Sequence, residues 1–102
     1  MLSQLFPEVT GFQWDEGNSE KSWRRHGVRQ VEAEQVFFNQ PVLIAPDLKH
    51  SGAERRYFAL GRTDTDRELL VVFTLRGPLL RVISVRQMSR RERRYYAEAQ
   101  ST

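Results

Sequence analysis

The sequence predicts an α+β domain, a small antiparallel sheet covered by two helices from the N-terminal half and one at the C-terminus. Apolar residues recur at helical spacing up to about residue 38, then give way to short β-branched and aromatic runs. The last three runs are joined by "TDTD" and "RGP", connections too short for the crossover that parallel strands need, so they read as a meander. A capping-box sequence, "SRRE", opens a final helix at residues 89–92. The chain's 102 residues leave room for one core, burying on the order of 65% of the unfolded chain's surface.

Residues 1–10 read as a flexible N-terminal arm, because Pro7 and the absence of periodicity give it nothing to lock onto. Residues 11–102 then form the single domain. "GFQW", 11–14, alternates as a short edge strand would. Asp15 can cap a helix from about Glu16 to Arg25, and Gly27 supplies the positive φ that commonly ends one. Arg24, Arg25 and His26 fall in its last turn, where the macrodipole favours positive charge. A second helix, about Gln30 to Phe38, places Ala33, Val36 and Phe37 on one side before "NQP" stops it.

The strand candidates are "VLIA" (42–45), "RYFALGR" (56–62), "ELLVVFTL" (68–75) and "LLRVISVR" (79–86), which give a meander of three plus one or two further strands. The terminal helix begins at about Arg90. At 100° per residue, Met88, Tyr95 and Ala99 lie within about 40° of one another and should anchor it, with Arg90, Arg93 and Arg94 fanning towards solvent.

Composition narrows the chemistry. There is no cysteine, which excludes disulfide frameworks, thiolate nucleophiles and thiolate metal sites. The N-terminus lacks the pattern of a signal peptide, and no segment approaches the ~20 apolar residues of a membrane span, so the expected location is the cytoplasm, away from any membrane. The formal charge is +3 but unevenly placed: from Arg76 to Arg94 there are seven arginines against the single acid Glu92. Such a segment can attract a polyanion or simply solubilise a surface.

Strict alternation puts Arg81 and Arg86 on opposite faces of their strand, while Arg56, Phe58, Leu60 and Arg62 share a face. An arginine beside a core is usually a snorkelling or ion-paired structural residue. Several converging on one concave face can instead hold a phosphate and stabilise charge developing on it. His26 has the pKa range for acid–base work, or serves as a donor at a helix end. His50, beside Lys49 in a polar loop, reads as solvated. With two histidines far apart and no cysteine, a zinc site is not expected, and neither a Gly-rich phosphate loop nor a Ser-His-Asp spacing is present. The aromatic pairs Phe37-Phe38 and Tyr95-Tyr96 read as core before base-stacking platforms.

In order along the chain, "FQWDEGN", "RRHGV", "VFFNQP", "ERRYFALGR", "LLVVFT" and "RVISVRQMSRRERRYY" resemble the BrnT family of type II toxin–antitoxin toxins, from about residue 11 to residue 97. The resemblance implies a RelE-like fold and a metal-independent endoribonuclease, with no cofactor, that inhibits translation. It implies a BrnA-type ribbon-helix-helix antitoxin as partner, operator DNA bound only through that antitoxin, and a higher-order toxin–antitoxin complex.

Carried onto matching positions, His26, Arg62, Arg81 and Arg86 are the catalytic candidates, and Arg76, Arg90, Arg93 and Arg94 the RNA-binding ones. The lysine and asparagine often found in the family's first helix are here Asn18 and Ser22, and the usual lysine before the histidine is Arg25. The capping serine and the aromatic that often follow "HGV" are Arg29 and Gln30, which leaves the second helix without its usual cap. The alternative is a non-catalytic basic module that binds a protein partner or nucleic acid.

Overall fold

The computed structural model describes residues 6–14, 23–50 and 52–100. Five strands form one sheet: β1 (Gly11–Gln13), β2 (Leu43–Pro46), β3 (Arg56–Arg62), β4 (Glu68–Arg76) and β5 (Leu79–Gln87), in the order β1-β5-β4-β3-β2. Helix α1 (Gln30–Val36) follows β1, and α2 (Arg90–Gln100) follows β5. Residues 23–26 are also helical. The Gly27 amide donates to the Trp23 carbonyl at 3.0 Å with φ +61°, so the first helix ends as the sequence predicts. Its predicted start, Asp15 and Glu16, lies outside the described residues.

The meander is as expected, with β3, β4 and β5 antiparallel and β2 antiparallel on β3. One expectation is corrected: β1 pairs parallel with β5, Phe12 opposite Leu80, so the sheet is mixed. The chain leaves β1, passes through the helices and comes back along the meander, which delivers β5 beside β1 in the same direction.

Tyr57, Ala59, Val71, Phe73, Leu80, Val82 and Val85 of the sheet pack with Val28, Ala33, Val36 and Phe37 into the main core. Each fully buried side chain of this size contributes about 1.5–3 kcal/mol. Gly61 permits the close approach of α1, since a Cβ there would lie 2.7 Å from Val36 Cγ1. Residues 6–10 do not form the loose arm expected of them. Phe6 meets Tyr57 and Phe73 edge-on, Val9 joins the core, and the Thr10 amide donates to Pro78 O at 2.8 Å. Without periodicity, two apolar residues still suffice to fold this segment over the open edge of the core.

Helix α1 starts without a serine or threonine cap, yet its first turn is closed. Glu32 accepts the Arg29 amide at 3.0 Å and an Arg67 guanidinium N–H at 2.7 Å, and the same Arg67 nitrogen donates to Gly27 O at 3.1 Å. Burial pushes the Glu32 carboxyl up, but the Arg29 amide and Arg67 outweigh it, and the group is held below the usual carboxylate range. A buried acid thus ties the start of α1, the turn after His26 and the hairpin before β4 together.

On the other face, Leu60, Leu70, Met88 and Tyr96 form a second, smaller core beneath α2. The capping box is present: Ser89 Oγ accepts the Glu92 amide at 3.2 Å, and Glu92 accepts the Ser89 amide at 2.8 Å. The expected anchor is corrected from Tyr95 and Ala99 to Tyr96. Tyr96 is fully buried and donates to Pro41 O at 2.5 Å, whereas Tyr95 is 62% exposed and Ala99 is exposed. Met88 is buried but precedes the cap, so angles counted from it do not carry into the helix. Arg90, Arg93 and Arg94 are exposed, as the spacing predicts.

Candidate active site

The sheet register places every strand arginine. Opposite β4, Val72 pairs with Ser84 and Phe73 with Val82, which leaves Ile83 as the extra residue of a β-bulge. Alternation therefore restarts inside β5. Arg81 and Arg86, expected on opposite faces, both lie on the α2 face, opposite Thr74 and Leu70 respectively.

On that face the register gives three transverse rows. The first holds Arg56, Thr74, Arg81 and Gln13, the second Ala45, Phe58, Val72 and Ser84, and the third Leu43, Leu60, Leu70 and Arg86. From first to third is four residues of strand, ~14 Å.

Arg86 and His26 come together. With Arg25 and Gln87 they line a shallow depression of about 300 Å³. His26 reaches it from the end of the first helix and Arg86 from the end of β5. Arg86 is fixed by a bidentate pair with Glu92, its two terminal nitrogens donating at 2.8 and 2.9 Å to the two carboxylate oxygens. The hydrogen bonds from Arg86 hold the Glu92 carboxyl below its usual range, and Glu92 in turn keeps Arg86 still more firmly protonated.

The other candidates lie elsewhere. Arg62 donates to Gln40 O at 2.9 Å and lines a separate cavity of about 580 Å³ with Asn39, Thr63, Asp64 and Asp66. Arg81 sits in the first row near Arg56 and Arg76. All three act on Glu54, whose carboxyl is held low first by its hydrogen bonds from Arg76, at 2.8 and 3.0 Å. Arg93 approaches Glu68 at 3.8 Å. His50 Nδ1 lies 3.1 Å from the buried carboxylate of Asp47, so it is a loop staple and not merely solvated.

A second concavity adjoins the first. Leu43, Ile44, Ala45, Phe58, Leu60, Leu70 and Tyr95 enclose an apolar groove of about 370 Å³, and the Arg86–Glu92 pair lines it too. Arg86 is thus common to the groove and to the His26 depression. Sequence reasoning missed Tyr95 as a site residue because a helical aromatic reads as core.

Residues 14–92 match the family model described as "Ribonuclease toxin, BrnT, of type II toxin-antitoxin system". The chain belongs to the BrnT family. The match includes His26, Arg62, Arg81, Arg86 and Glu92, and so runs through both concavities. The fold is similar to the crystal structure of the Brucella abortus ribonuclease toxin BrnT, with a TM-score of 0.62 and 24% sequence identity, covering 80% of this chain and 100% of that one. No curated protein matches the chain. BrnT proteins are ribonuclease toxins of type II toxin–antitoxin systems, so an antitoxin partner goes with the family. Among the described residues, no helix is long and apolar enough to cross a membrane.

Proposed function

We propose that this chain is an endoribonuclease toxin that cleaves RNA by RelE-like, metal-independent chemistry in the cytoplasm, in the depression lined by Arg25, His26, Arg86 and Gln87. One observation carries the reading: His26 and Arg86, from the end of a helix and the end of a strand, line one open depression. Cleavage by the ribose itself begins when the 2′-OH gives its proton to the His26 imidazole. The 2′-oxygen then bonds to the adjacent phosphorus. Arg25 and Arg86 hold the negative oxygens of the phosphorane, and the P–O5′ bond breaks as the 5′-oxygen takes up a proton. The products are a 2′,3′-cyclic phosphate and a 5′-hydroxyl.

Arg62, Arg76 and Arg81 lie away from that depression and act here as phosphate contacts, with Arg90, Arg93 and Arg94 steering RNA from outside. The antitoxin is a BrnA-type ribbon-helix-helix protein that neutralises the toxin in a higher-order complex and carries it to operator DNA.

The test is inducible expression combined with cleavage of a defined RNA by purified protein. Expression should arrest growth, and co-expression of the antitoxin should restore it. His26→Ala and Arg86→Ala should each reduce cleavage at least ~100-fold. Intact RNA after incubation with folded wild-type protein refutes the reading.

A further inference from the structure

We infer that the apolar groove beside the catalytic depression is a nucleobase pocket, which receives a base flanking the scissile phosphate and selects bases with an exocyclic amino group. This rests on the ribonuclease reading above. Arg86 provides continuity, since it lines both concavities, so a strand whose phosphate lies against one side of this guanidinium brings its neighbouring base to the other.

The groove suits that occupant. Its volume, about 370 Å³, lies in the range of small-ligand sites. Its walls are apolar, with the Phe58 ring among them, and the exposed Tyr95 ring stands at the α2 side as a stacking partner. A partner helix needs a longer trough than this, because protein interfaces bury about 800 Å² on each side.

The polar end sets the selectivity. Both Glu92 oxygens already accept from Arg86, and one accepts from the Ser89 amide as well. Each carboxylate oxygen has two acceptor sites, so the oxygen with a single bond keeps capacity for one more donor. Adenine, cytosine and guanine carry exocyclic amino groups that can donate, and uracil does not. The Arg86 charge offsets that of the carboxylate and reduces its repulsion of the RNA backbone.

The experiment is a cycle between Tyr95→Ala and a single abasic residue walked across the scission site of an RNA oligonucleotide. Tyr95 is exposed, so its removal leaves the fold intact, and Tyr95→Phe serves as a conservative control. At one flanking position, wild type should lose about tenfold in kcat/KM on the abasic RNA, mostly in KM. Tyr95→Ala should lose as much on the intact RNA, with little further loss on the abasic one, and Tyr95→Phe should behave as wild type. With each base in turn at that position, uracil should be the poorest substrate.

Strictly multiplicative losses at every position overturn the pocket while leaving the ribonuclease standing. So does a Tyr95→Ala protein that cleaves normally but escapes its antitoxin, which would make the groove a protein-docking surface. Absence of any cleavage by wild type removes the ribonuclease and the pocket together.

Discussion

Glu92→Gln isolates the ion pair on which both concavities depend. The amide keeps an oxygen that can accept the Ser89 amide, so the helix cap survives and the charge on Arg86 loses its partner. Hydrogen bonds to charged groups are worth about 1.5–3 kcal/mol net. Arg86 is 41% exposed and Glu92 22%, so screening reduces this to about 1 kcal/mol.

For a domain of this size that is a fall of about 5 °C in Tm, read by thermal unfolding at pH 7. The folded carboxyl is shifted down, so the contribution is complete above the unfolded glutamate pKa of about 4.3 and fades as pH falls through the lower folded value. Wild type and Glu92→Gln should therefore converge in acid. A cycle with Arg86→Ala should give a coupling of about 1 kcal/mol at pH 7. If Glu92→Gln melts with wild type at pH 7, or the difference persists below both pKa values, the pair does not hold α2 against β5 as described.

Gly61→Ala should cost about 1–3 kcal/mol in denaturant unfolding, because the new methyl meets Val36 Cγ1 at 2.7 Å. Combined with Val36→Ala, the loss should be smaller than the sum of the two single losses. Glu32→Ala should cost about 2–4 kcal/mol through the lost cap and the lost Arg67 contact, and should also reduce cleavage, since the turn after His26 is tied to the same Arg67. Unchanged cleavage by a destabilised Glu32→Ala protein would separate the clamp from the site. Replacing Arg90, Arg93 and Arg94 together by alanine should flatten the salt dependence of RNA affinity and leave the maximal cleavage rate nearly unchanged. A large loss of maximal rate would place an arginine of α2 in the chemistry.

The meander, both described helices and the Ser89–Glu92 box were legible in the sequence because each rests on neighbouring residues. What lay hidden depends on the return of distant chain. The parallel seat of β1 depends on where β5 arrives. The Glu32–Arg67 clamp joins residues 35 positions apart. At the site, His26 and Arg86 stood out by residue type, but nothing local shows that they share a depression or that Arg62 and Arg81 do not. Tyr96 and not Tyr95 faces the sheet because Met88 lies ahead of the helix cap, so an angle taken from it does not carry into the helix.

The bulge at Ile83 gives β5 one residue more than its pairing with β4 requires, and that spare residue is what lets Arg81 and Arg86, five positions apart, share a face. Removing that one residue would restore strict alternation without turning Arg86: Ser84 would follow Val82 and keep its place opposite Val72, Val85 would stay in the main core and Arg86 opposite Leu70. The direction of the last arginine is set by its pairing on β4 and not by a count of residues along β5.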